Sequence, residues 1–160
     1  MIKKIISGGQ TGVDRAGLDA AITLNIPHGG WCPKNRKAED GIIPERFNLQ
    51  ECSSGSYIVR TEKNVKTSDA TLILYFDKAT GGTLRTIEFA KKHKKLFLEV
   101  NLAESAEINL VKITAWLKQF DRCKIILNIA GSRESTNRGI YEICKKLLET
   151  CFSENTINLS

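Results

Sequence analysis

Three short stretches of this chain combine glycine with hydroxyl-bearing side chains, and one of them adds an arginine: Gly8-Gly9-Gln10-Thr11-Gly12, Ala79-Thr80-Gly81-Gly82-Thr83 and Gly131-Ser132-Arg133-Glu134-Ser135. Residues of these types hold anions. Glycine lets the main chain take positive φ and approach a ligand closely, and the N–H groups that open a following helix attract phosphate. Ser7, Thr11, Thr80, Thr83, Ser132 and Ser135 offer hydroxyls, and Arg15, Arg85 and Arg133 offer a guanidinium suited to bidentate oxyanion recognition. Arg133 lies within its loop. Arg15 and Arg85 read equally well as exposed helix-surface residues.

The first loop matches neither common nucleotide motif. No Gly-Lys-Ser/Thr follows it, which excludes a P-loop, and no acidic residue lies between Asp19 and Glu39 to meet a dinucleotide ribose. Asp14 either caps the helix after the loop or orients a ligand hydroxyl, and Asp19 reads as a surface residue. Glu88, on the helix after the second loop, either acts on a ligand or is a plain solvated carboxylate.

The loops need a frame to bring them together. Near-continuous apolar runs predict strands over 3–7, 71–76, 96–100 and 124–130, as parallel strands covered on both faces require. Helical periodicity predicts helices over 14–24, 83–93, 105–120 and 138–151. In the third of these Ile108 and Val111 are read as inward or partly so, and in the last the apolar face runs Ile140, Ile143, Cys144, Leu147, Leu148 and Cys151. The alternation makes an α/β fold: a doubly wound, mainly parallel sheet with helices on both faces. Each glycine loop follows a strand, so all three belong at the carboxyl edge of the sheet, where such folds bind ligands. Residues 1–152 are expected to form one domain, with 153–160 a tail or short edge strand. The stretch 26–56 holds all three prolines, Trp31 and Cys32 without sustained period, and reads as a functional loop with a small strand near 27–29 and a short helix.

Composition narrows the function. The chain has 160 residues, 41% hydrophobic and 26% charged, with a net charge of +6. No apolar run approaches the roughly 20 residues of a membrane span, and no signal-peptide pattern precedes the first strand. A cytoplasmic protein is expected. Five cysteines without C-x-x-C spacing and two histidines suggest no metal site; Cys144 and Cys151 are expected to be buried. The cluster Lys91-Lys92-His93-Lys94-Lys95 ends a helix, where cations complement the dipole, and no nucleic-acid motif accompanies it.

Longer motifs carry a family resemblance. Gly8 to Ala16, Gly30-Trp31-Cys32-Pro33-Lys34, Arg36 to Gly41, Arg60 to Val65, Ser68-Asp69-Ala70-Thr71 and Leu127 to Ser135 resemble the molybdenum carrier family, molybdenum cofactor carrier proteins related to the lysine-decarboxylase-like, LONELY GUY-type fold. The resemblance spans Ile5 to about Tyr141. It implies a three-layer Rossmann-like domain, assembly as a homodimer or homotetramer, and binding of molybdenum cofactor (molybdopterin), a phosphate-bearing pterin, for delivery to molybdoenzymes.

Loop chemistry and resemblance together nominate Gly8, Gly9, Gln10, Thr11, Gly12, Asp14, Arg15, Lys34, Arg60, Asn64, Gly81, Gly82, Thr83, Gly131, Arg133, Glu134 and Ser135 as ligand-binding. Lys34, Arg36, Arg60 and Lys63 would add charge at the rim, and Trp31 would stack on or cover a flat pterin. No side chain is expected to ligate the metal. The related LONELY GUY enzymes hydrolyse nucleoside 5′-monophosphates with a P-G-G-x-G-T-x-x-E pattern. Here Gly81, Gly82 and Glu88 are kept, but Thr80, Leu84 and Arg85 replace the proline, the third glycine and the threonine. Glu88 would be catalytic only if such a hydrolase activity remained; a nucleotide-sensing module is a third reading.

Overall fold

The computed structural model describes residues 1–157. Its centre is a five-stranded sheet in which every pairing is parallel, built from β1 (Ile2–Ile6), β2 (His28–Gly29), β7 (Ala70–Tyr75), β8 (Leu96–Asn101) and β9 (Ile125–Gly131) in the spatial order β2-β1-β9-β7-β8. The last strand in the chain therefore lies in the middle. It pairs Leu127 with Ile5 on one side and with Ala70 on the other. Ala70 to Leu74 are all buried, which explains an apolar run without alternation: both faces of β7 are covered. The edge strand β8 keeps Leu96 exposed.

Helices α1 (Val13–Thr23), α4 (Ala106–Lys118) and α5 (Ile140–Ile157) pack together on one face, and α2 (Tyr57–Thr67) and α3 (Gly81–Lys92) pair on the other. The larger core runs between sheet and helices through Val13, Ala16, Leu72, Leu74, Ile113, Leu127, Ile129, Ile140 and Leu148. Gly17 lets α1 lie directly on β9, because a Cβ there would come within 2.7 Å of Ile129. Cys144 and Cys151 are buried on α5. The predicted inward faces are otherwise too wide. Ile108 (55% exposed), Val111 (68%) and Ile143 (46%) face outward. The core needs only a stripe of each helix, so the flanking apolar residues of the periodic pattern stay in water. Helix α5 continues past the expected break at 153 to Ile157. The remainder of the expected tail, 158–160, lies outside the described residues.

Helix α2 was not among the expected elements. Its buried face is Thr61, Asn64 and Val65, too polar to give an apolar stripe. The Ser56 hydroxyl caps it, accepting from the Ile58 amide at 3.3 Å. The stretch before it holds a 3-10 turn (Lys34–Arg36) and four two-residue strands: β3 (Trp31–Cys32) pairs with β6 (Gln50–Glu51), and β4 (Lys37–Ala38) forms a hairpin with β5 (Gly41–Ile42). The small strand expected beside β1 is present; where a short helix was expected there is a three-residue turn at Lys34–Arg36, with Asn35 at a non-helical φ of 63°. This excursion has its own small core of Leu18, Cys32, Ala38, Ile43, Phe47 and Leu49. The Arg36 guanidinium, sunk inside it, donates to the carbonyls of Ile43, Pro44 and Phe47. Among the described residues no helix is long and apolar enough to cross a membrane.

Candidate functional site

A cavity of about 330 Å³ opens at the carboxyl ends of the three adjacent strands β1, β9 and β7. All three glycine loops contribute to its wall: Gln10 and Asp14 after β1, Thr80 to Thr83 after β7, and Gly131 to Arg133 after β9. The strand order dictates this. Connections from β1 and β7 leave toward opposite edges of the sheet, and β9 fills the gap between them, so a crevice remains above their ends.

Helix α3 points its N-terminus at this cavity. Thr80 occupies the N-cap position but makes no side-chain capping bond, and Gly81 and Gly82 form the wall. A Cβ on either glycine would meet nothing within 4 Å. First-turn amides lacking a side-chain cap, beside open space, are the physical requirement for an anion site. Arg60, Arg85 and Arg133 line the same cavity, against a single carboxylate, Asp14.

The first glycine loop behaves differently from its sequence reading. Two of its amides, and the first amide of the helix after it, are occupied by the protein itself. The Asp14 carboxylate accepts from the Gln10 amide at 3.1 Å, the Gln10 side-chain oxygen accepts from the Thr11 amide at 3.0 Å, and the Val13 amide donates to the Ser132 carbonyl at 3.1 Å. Gly12, at φ +79°, is required because a Cβ would sit 2.5 Å from the Ser132 oxygen. At Gly9 (φ +76°) a Cβ would strike Leu49 and Ile43 of the excursion, and at Gly8 it would strike the Arg60 guanidinium. This loop clamps neighbouring segments, and what it presents to the cavity is Gln10 and Asp14.

Asp14 is buried and bridged to Arg60 at 3.1 Å. Burial pushes its carboxyl above the usual carboxylate range, opposed by Arg60, the Gln10 amide and the Ser7 hydroxyl. It neither caps α1 in the ordinary sense nor lies free. Asp19, read as a surface residue, is nearly buried between Arg46 (2.9 Å) and the Tyr141 hydroxyl (2.7 Å). The single sequence could not show that Arg46, 27 residues on, folds back to meet it.

Several nominated residues stand outside the cavity wall. Arg15 donates to the Gly9 carbonyl at 3.0 Å and grips Asp40 at 2.6 and 2.7 Å. Glu134 accepts from the amides of Gly139 and Tyr141 and so caps the start of α5. Thr11 and Ser135 both donate to the Glu39 carboxylate. Asn64 holds β3 in place by exchanging two bonds with the Trp31 backbone, at 2.8 and 2.9 Å. Lys34 is exposed away from the cavity, Arg36 is spent inside the excursion, and Lys63 lies 4.0 Å from the Trp31 ring centroid. Trp31, expected to cover a flat pterin, lines a separate groove with Lys4, Asn48 and Gln50 and not this cavity. Glu88 pairs with Arg85 at 2.9 Å, half exposed, and does not line the cavity.

Helix α2 supplies what the sequence reading missed: Tyr57, Ile58 and Thr61 join Arg60 on the wall. Tyr57 is the aromatic side chain at this cavity, with Arg60 and Arg133 at 5.8 and 5.5 Å from its ring centroid. A Ser cap followed by eleven residues without Gly or Pro was the available signal. Of the cysteines, Cys32 and Cys52 are buried and burial pushes both thiols up, away from reactivity. Among the described residues no group of three or more His, Cys, Asp or Glu is placed to hold a metal ion.

A five-stranded parallel sheet, helices on both faces and a crevice at the strands' carboxyl ends define a Rossmann-like α/β domain. More narrowly, the chain belongs to the Circularly permutated YpsA SLOG family (cpYpsA), whose family model matches residues 5–152. It is similar to the Putative molybdenum carrier protein from Syntrophus aciditrophicus SB, whose crystal structure at 1.45 Å shares 46% identity over 94% of each chain with a TM-score of 0.89. None of the curated proteins compared matches it. The family resemblance read from the motifs is thereby shown.

Proposed function

We propose that this protein binds and carries molybdenum cofactor, holding the phosphate-bearing pterin in the cavity above β1, β9 and β7. The observation that carries the reading is the α3 N-terminus: two glycines facing open space, a cap position whose side chain makes no capping bond, and Arg85 and Arg133 on the same wall beyond the Arg60–Asp14 pair. A phosphate placed there gains the helix-end amides and the positive field at once. The similarity to a Putative molybdenum carrier protein supports a molybdenum-bearing cargo. The metal is then part of the cargo, carried through its organic ligand. Carriage needs no bond to break, and the residues' roles are to bind and to shield.

In this reading the carrier is a cytoplasmic homodimer or homotetramer that hands its cargo to molybdoenzymes. The hydrolase reading has weaker support, since Glu88 is engaged with Arg85 outside the cavity. Anaerobic thermal-shift and calorimetric titration with molybdenum cofactor, set beside nucleoside monophosphates, tests the proposal. Ligand at about 100-fold its Kd should add about 2.7 kcal/mol of stability. Absence of a shift with every one of these ligands would sink it, as would release of free base from a monophosphate that Glu88→Ala abolishes. Sedimentation equilibrium reads the assembly.

A further inference from the structure

The floor of the cavity has a chemistry unlike its mouth. Gln10 is 5% exposed, and its amide orientation is fixed, because its oxygen accepts two backbone N–H groups, those of Thr11 and Glu39, each at 3.0 Å. Turning the amide over would set a donor against two donors. Its Nε2 is therefore a donor by necessity, and it has no hydrogen-bond partner among the described residues. Arg60 repeats the pattern. One terminal nitrogen is bound to Asp14 at 3.1 Å, while Nε, also buried, has no partner. Both residues line the cavity, and Asp14 lines it beside them.

Two buried donors without acceptors call for acceptor atoms on whatever enters. Charge decides which kind. Arg60 and Asp14 neutralise one another at the floor, so a second full anion there would gain no net attraction and would face the Asp14 carboxylate. A neutral carbonyl oxygen would satisfy such a buried donor without that repulsion. If a ring N–H stands beside the carbonyl, the carboxylate accepts from it. That pairing of C=O with N–H is a lactam edge.

We propose that Gln10, Arg60 and Asp14 form a selectivity floor that recognises an oxo-substituted, lactam-type heterocycle, such as a pterin or a 6-oxopurine, and rejects an amino-substituted ring such as adenine. This rests on the reading of the cavity as the ligand site and extends it: the helix end takes the phosphate, the floor reads the ring. Adenine presents an amino group where the lactam has oxygen, so its N–H would confront the two donors. The cavity's 330 Å³ leaves room for a ligand of about mononucleotide size to reach from one end to the other.

The test compares inosine 5′-monophosphate, adenosine 5′-monophosphate and ribose 5-phosphate by calorimetric titration of the purified full chain. The inosine nucleotide should bind at least about tenfold more tightly than the adenosine nucleotide, as expected when a buried donor is satisfied in one complex and left facing a donor in the other. In Gln10→Glu, which keeps an acceptor for the Thr11 and Glu39 amides and replaces the donor with oxygen, the ratio of the two affinities should fall to about one. Equal affinity of the wild-type protein for both nucleotides, or a preference for the adenosine form, would overturn the selectivity floor. Ribose 5-phosphate separates the two failures: if it binds while the nucleotides are not distinguished, the phosphate site stands and the floor falls; if none of the three binds and molybdenum cofactor does not either, both fall. Should Gln10→Glu fail to fold, the wild-type comparison alone decides.

Discussion

At the scale of single residues, the glycines separate into two kinds that composition cannot distinguish. Gly82 faces open space, so Gly82→Val should leave the melting temperature within a few degrees and abolish phosphate-dependent stabilisation by filling the cavity. Gly12 combines φ +79° with a Cβ position 2.5 Å from the Ser132 carbonyl, and Gly12→Ala should destabilise by at least about 2 kcal/mol. Differential scanning fluorimetry with and without ligand separates the two effects. The spacing of glycines in the sequence showed where the chain turns, and it did not show what lies across each turn. Asn64 makes the same point. Its two bonds to the Trp31 backbone make it a brace, so Asn64→Leu should cost about 2 kcal/mol in urea denaturation by leaving a partly buried amide and carbonyl without partners. Nothing at position 64 itself announces a partner 33 residues away.

At the scale of elements, two helices begin at glycine turns and have opposite fates. Neither N-terminus has a side-chain cap, but the first amide of α1 donates to the Ser132 carbonyl at 3.1 Å, whereas Gly81 and Gly82 at the start of α3 face open space. Sequence periodicity located both helices to within three residues at either end, because a helix face is a local pattern. Which end is free depends on a loop more than 100 residues distant. The β4–β5 hairpin is pinned by the same long-range logic. Its tip carries Glu39, held by Thr11, Ser135 and Arg133, and Asp40, held by Arg15. Partial burial opposes ionisation of Glu39, but the Ser135 and Thr11 bonds prevail and hold its carboxyl below the usual range. Arg15 does the same for Asp40. A carboxylate with a lowered folded pKa stabilises fully above its ordinary value and loses that contribution as pH falls through the lowered one. Amide exchange of residues 37–42 should therefore be steady from pH 8 to about 5 once corrected for intrinsic rate, and should rise below about pH 4, with part of the rise absent in Glu39→Gln. An exchange profile flat to pH 3 would show that the tip is held by packing alone.

At the scale of the molecule, the strand–helix alternation was enough to give a parallel sheet, helices on both faces and the edge that carries the cavity. The excursion over 26–56 was visible as an irregularity and its construction was not, since its core of six residues and the partly buried Arg36 depend on contacts with no period. The sheet order has a further consequence, which concerns time. Among the described residues β9 is the last strand to be synthesised, yet it joins the β2–β1 pair to the β7–β8 pair, and Ser132 just after it accepts from the first amide of α1. Until residue 132 is available, the β2–β1 and β7–β8 pairs lack the strand that lies between them in the fold, and the crevice lacks its middle. A fragment ending at residue 124 should show no cooperative melting transition and no ligand response. On the ribosome, the protein should become competent in a single late step rather than by gradual maturation.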